Sequence, residues 1–159
     1  MPKNDVNSRL RATAGILGLA VIYYCAGIFG LSLAFSNPNA SAVWPSSGIA
    51  LAAILVWGFR LWPGIVLGAF FVNFVTQGSL WTALGVAAGN TSEALLAAML
   101  LARFAQGANV FNRTRNILTF IVLAGIISTA AGARMGATTL YLGGFIGRHE
   151  VSPGWLTRW

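Results

Sequence analysis

The sequence predicts an all-α integral membrane protein, a polytopic bundle of five transmembrane helices and the start of a sixth. The spacing of tryptophan is the first reason: Trp44-Pro45, Trp62-Pro63 and Trp81 stand 18 and 19 residues apart, with almost only apolar residues between them. At about 1.5 Å of helix rise per residue each interval spans roughly 27 Å, close to the ~30 Å hydrocarbon thickness of a bilayer. Tryptophan favours the membrane boundary and proline is tolerated in the first turn of a helix, so each Trp is expected to mark one crossing of that boundary. Composition is the second: 57% hydrophobic and 8% charged residues, with a mean hydropathy of +0.73, leave too few polar side chains to cover a water-soluble globule of 159 residues. Charge placement is the third. Basic residues sit in short groups between apolar runs and fall mainly on one side of the predicted bundle.

The first span is expected from Ala12 to Phe35, ended by the polar segment Ser36 to Ser41. Lys3, Arg9 and Arg11 before it, and small residues at Ala40 to Ala42 after it, have the outline of a secretory signal. A run of 24 residues exceeds the roughly 7 to 15 of a signal core, so it reads as a retained helix. The second span runs from Trp44 to Phe59 and turns through Arg60-Leu61-Trp62. The third starts at Pro63 and ends near Gln77, the fourth covers Leu80 to Ala102, and the fifth covers Ile117 to Leu142. Gly143 to Pro153 reads as a loop, and Trp155 to Trp159 as the entry to a further span that stops short.

On that map Lys3, Arg9, Arg11, Arg60, Arg103, Arg113 and Arg115 share one side, and the opposite loops carry only Arg148 and Glu150, beside His149. Loop Lys and Arg set orientation, which puts residues 1–11 in the cytoplasm. The net charge of +7 is scattered between apolar runs, an arrangement that does not fit nucleic-acid binding. Cys25 and His149 are each the only residue of their type, so no disulfide or Cys/His metal site can be built within one chain. With three acids in all and no phosphate-binding loop, neither a paired-carboxylate mechanism nor a cofactor is expected, and the chain is not expected to be an enzyme.

Two sets of residues remain. Gly64 and Gly68, Gly85 and Gly89, and Gly132 and Gly136 are spaced four apart, which puts each pair on one helix face where another helix can approach closely, within one bundle or across a homodimer seam. Asn73, Asn90, Glu93 and Arg134 are polar where lipid is expected. An intramembrane ionisable residue costs about 2.5–3.5 kcal/mol on insertion scales, so it faces the interior and finds a partner. The four are expected to form a buried cluster bordered by Gly89 and Ser92, either a ligand pocket or a structural clasp, with Arg134 reaching about 9 Å along the axis to Glu93.

The run from Val43 to Phe74 followed by Gly89 to Phe104 resembles the first type of membrane-associated sensor domain, the MASE family of bacteria. The resemblance rests on Trp44-Pro45 with Gly48-Ile49-Ala50, the Gly58 and Trp62-Pro63-Gly64 turn, Gly68 with Asn73, and Gly89-Asn90-Thr91 with Glu93. It implies that residues 12–159 are an incomplete sensor domain of the bacterial inner membrane. It further implies a cytoplasmic output module, a histidine kinase, diguanylate cyclase or phosphodiesterase acting on cyclic di-GMP, that is absent from this chain. A rival expectation, a substrate-binding membrane subunit of a transporter, also needs a Gly-rich bundle around a polar pocket.

Overall fold

The computed structural model describes residues 3–33, 44–144 and 146–147. The predicted loop Ser36 to Val43, most of the Gly143 to Pro153 loop and the Trp155 to Trp159 tail lie outside them. Among the described residues the chain is all-helical: α1 (Lys3–Ser32), α2 (Pro45–Trp57), α3 (Trp62–Gln77), α4 (Leu80–Phe104), α5 (Thr114–Phe120) and α6 (Thr129–Leu142). Short 3-10 turns at Phe59–Leu61 and Gly107–Asn112 link α2 to α3 and α4 to α5, and a π-helical stretch, Ile121–Ser128, joins α5 to α6.

Among the described residues, four segments are long and apolar enough to cross a membrane: Ser8–Ser32, Phe59–Thr76, Leu80–Phe104 and Thr114–Leu142. The remaining predicted span, the second (Trp44 to Phe59), is α2, with 13 helical residues, about 20 Å of rise. Pro45 and Pro63 both lie in first turns, where the missing N–H costs no helix bond. α3 ends on Gly78, whose φ of 69° and N–H bond of 2.9 Å to the Phe74 carbonyl close the last turn. Ser79 then starts α4 by accepting from the Thr82 N–H at 3.4 Å and from the Thr82 hydroxyl at 3.1 Å. α1 departs from the expected boundary by beginning at Lys3, so Arg9 and Arg11 are carried on the helix itself; no Gly or Pro between Lys3 and Ala12 interrupts it.

Close approaches at glycine fix helix direction. A β-carbon at Gly15 would meet Leu61, one at Gly64 would meet the Ile16 carbonyl, one at Gly68 would meet Tyr23 and Ala20, and one at Gly27 would meet Val72. Residue numbers rise together, so α1 and α3 run parallel, and α2 carries the chain back between them. On the other side Gly85 faces Thr139, Gly89 faces Met135 and Gly136, and Gly132 faces Glu93. There the numbers run oppositely, and α4 and α6 are antiparallel. All three glycine pairs thus lie in seams within one chain.

The core between these seams is made largely of small side chains. Ala50, Ala53, Ala69, Ala83, Ala87, Ala97 and Ala98 are each at most 3% exposed, around Tyr23, Ile65, Val72 and Leu101. Large apolar residues point outward instead, among them Val21, Phe29, Phe71, Val75, Trp81 and Leu142. Small inside and large apolar outside is the pattern of helices packed in lipid, where burial of bulk has no water to escape.

Candidate functional site within the bundle

The middle of the bundle carries a polar layer. Glu93 sits near the midpoint of α4, partly buried, beside the hydroxyls of Ser47 on α2 and Thr129 on α6. One turn earlier, Asn90 neighbours Tyr23 on α1, whose ring is 1% exposed and also lies next to Trp44 and Glu93. Helix direction explains the convergence. A side chain on a helix leans toward its N-terminus, so Tyr23 leans toward the level of Asn90. The Ser46 hydroxyl, donating to the Tyr23 carbonyl at 3.1 Å, ties the start of α2 to this point of α1.

Two polar atoms in this layer lack partners. The Tyr23 hydroxyl and the Trp44 indole N–H are fully enclosed and make no hydrogen bond of normal geometry, although they face each other and Asn90. An enclosed donor without an acceptor costs about 1–3 kcal/mol, which a bundle built for stability alone would avoid. Trp44 therefore does not stand free at the membrane boundary: its indole turns into the bundle. Trp81, 79% exposed, and Trp62, 48% exposed, do face outward.

The neighbouring segment of the last helix is irregular. From Ile121 to Ser128 the backbone widens to a π-helix, and the hydroxyls of Ser128 and Thr129 each donate at 2.8 Å to carbonyls five residues back, Leu123 and Ala124. Such stretches are uncommon and concentrate at functional positions. Gly132, one turn on, lies against the Glu93 side chain, and a β-carbon there would crowd the Glu93 carboxylate.

Of the four polar residues singled out from sequence, the structure brings two into this layer. Asn73 is buried, and its amide donates to the Ala69 carbonyl of its own helix at 2.7 Å. The tight α3–α4 turn pairs position 66 with the region of 88 to 91 across one groove, which leaves Asn73 roughly 9–14 Å along the axis from Asn90. Arg134 is exposed and is not among the groups surrounding Glu93; Gly132, Gly136 and Leu140 take the inward face of α6. Ser92 is exposed, facing the groove shared with Trp62 and Val66 rather than the layer.

Tyr23, Ser47 and Thr129 were not singled out from sequence, since none is charged and each is unremarkable alone. Their common signal is depth, a polar group far from the end of an apolar run.

A family model, MASE1, matches residues 15–159. The chain belongs to the MASE1 family. MASE1 is a membrane-associated sensor domain found in signal-transduction proteins, and a sensor rather than a catalytic family. No curated protein and no solved structure matches the chain significantly. Chemically, the layer offers a phenol hydroxyl and an indole N–H that form no well-aligned hydrogen bond, an amide and a carboxylate in a low-dielectric interior, where each contact with a polar guest is strengthened. No group of three or more His, Cys, Asp or Glu stands together among the described residues.

Proposed function

We propose that this MASE1 chain is the input region of a bacterial inner-membrane signalling protein, that it is not itself an enzyme, and that it reads its stimulus at the layer formed by Tyr23, Trp44, Asn90 and Glu93. The observation that carries this reading is the pair of enclosed, unpartnered donors, Tyr23 Oη and Trp44 Nε1, beside a carboxylate at mid-depth. A guest or a rearrangement that satisfies them would be favoured over the resting packing, and differential satisfaction of two states is what shifts a conformational equilibrium.

The proposed threading is five crossings with the N-terminus in the cytoplasm. Support comes from the parallel course of α1 and α3, which requires α2 to return the chain despite its 13 residues, and from the arginines. Arg11 and Arg60 line the same end of the bundle, and seven Lys or Arg residues fall on that side of the predicted topology. The π-helical stretch touching the layer is the element through which a change at Glu93 would move α5, whose start at Thr114 lies on the cytoplasmic side of the proposed threading, and through it a cytoplasmic histidine kinase, diguanylate cyclase or phosphodiesterase. The bilayer is the other partner, and pairing of two copies of the region is part of the proposal for such an output.

Glu93→Gln in the receptor that carries this region and its output module is the test. The amide keeps the shape of the side chain and removes its charge, so the expected result is output, read as phosphorylated kinase or cyclic di-GMP, that no longer responds to stimulus while the folded protein accumulates normally. Unchanged signalling with lowered bundle stability would leave Glu93 a structural clasp.

A further inference from the structure

A second feature lies away from the polar layer. Between α1 and α2, at the end of the bundle where the chain turns into α3, is a cavity of about 690 Å³. Its floor and walls are apolar, including Gly18, Ile22, Ile49 and Trp57, and Arg11 and Arg60 stand at its rim. Gly18 has open space in front of it, with nothing within 4 Å of a β-carbon built there. Trp57 is 71% exposed. The volume falls within the roughly 300–1,000 Å³ of small-molecule sites.

Charge decides what occupies it. No acid is among the lining residues, and both ionised groups are guanidiniums, which grip phosphate through paired N–H donors. A second copy of this chain would bring the same arginines to the same place, in a molecule of net charge +7. Like charges would oppose that seating. An apolar slot opening to lipid, with two arginines at the level of the headgroups, matches an anionic phospholipid in both of its parts.

We propose that the α1–α2 cavity binds an anionic phospholipid, one acyl chain lying along Gly18 and Ile49 and the phosphate held by Arg11 and Arg60. The site depends on the membrane placement of the bundle and not on the signalling role, so the two readings fail separately. The lipid would brace α2, whose short helix packs there against α1.

The test uses the whole chain reconstituted in phosphatidylcholine vesicles containing a small fraction of lipid with brominated acyl chains, which quench tryptophan on contact. Trp57 fluorescence is obtained as the difference between the protein and its Trp57→Phe variant. Brominated phosphatidylglycerol is expected to quench Trp57 at a mole fraction roughly thirtyfold lower than brominated phosphatidylcholine, the scale of preference two headgroup-level arginines confer. Arg11→Gln with Arg60→Gln should abolish the preference. Gly18→Leu, which fills the slot and leaves both arginines, should weaken quenching by either lipid. Equal quenching by the two lipids in the unaltered protein would overturn the proposal without recourse to any variant. So would a preference that survives loss of both arginines, or a Trp57 shielded from both lipids and cross-linked to a second copy.

Discussion

Gly68→Leu is expected to uncouple α1 from α3 and to be among the most damaging single substitutions at the glycine seams. A β-carbon at position 68 would stand 2.7 Å from the Tyr23 β-carbon and 2.8 Å from the Ala20 carbonyl oxygen. One of these is backbone, so no rotamer change relieves it and the helices must separate along a parallel seam that also includes Gly64 against Ile16. Overpacking a well-filled interior costs about 1–3 kcal/mol, and moving backbone adds to that, so a loss of at least about 3 kcal/mol is expected. Thermal unfolding in detergent micelles, followed by loss of the monodisperse peak, measures it. The same displacement moves Tyr23 out of the polar layer, so any Gly68→Leu protein that still folds should also fail to signal. A bundle as stable as the parent would mean that α1 and α3 do not pack through this seam.

Tyr23→Phe is expected to do the opposite to stability and the same to signalling. The substitution deletes one oxygen from a side chain that is 1% exposed and whose hydroxyl has no partner. Removing an unsatisfied enclosed donor relieves a cost of about 1–3 kcal/mol, so the folded bundle should be as stable as the parent or more so. If the hydroxyl serves a guest or a switched packing, the response to stimulus should be lost in the same protein. A tyrosine retained for structure alone gives a different pair of results: lower stability, with the response intact. Stability and output measured on one preparation therefore separate the two roles, as the same pair of readings does for Glu93→Gln.

Much of the bundle was legible in the sequence because lipid imposes simple rules on helices. Length, apolar content and tryptophan spacing marked the helices, and Pro45 and Pro63 marked where two of them begin. The glycine pairs marked surfaces of close approach, though not which helix each would meet; that depended on the parallel return of α1 and α3, a long-range fact. The polar layer was legible in part. Asn90 and Glu93 stood out because charge and amide are costly in lipid. Arg134 stood out for the same reason but faces outward, since position along a helix gives depth and leaves azimuth open. Asn73 answers its own helix backbone, an option open to any intrahelical amide and invisible to spacing. Tyr23 and Thr129 were missed because hydroxyls are tolerated in membrane helices, and only their enclosure gives them weight. The π-helical stretch had no sequence mark at all: Ile121 to Ser128 reads as an ordinary apolar helix.

How the chain is threaded through the membrane decides which groups can reach which side, and one labelling experiment tests the threading most directly. In a Cys25→Ser background, single cysteines are placed at Ser79, in the α3–α4 turn, and at Gln106, beyond the end of α4, and intact cells are treated with a thiol reagent that cannot cross the membrane holding the protein. The threading predicts labelling at position 79 from outside and at position 106 only after the membrane is breached. Labelling of 106 in intact cells with 79 protected, or of both alike, would contradict it.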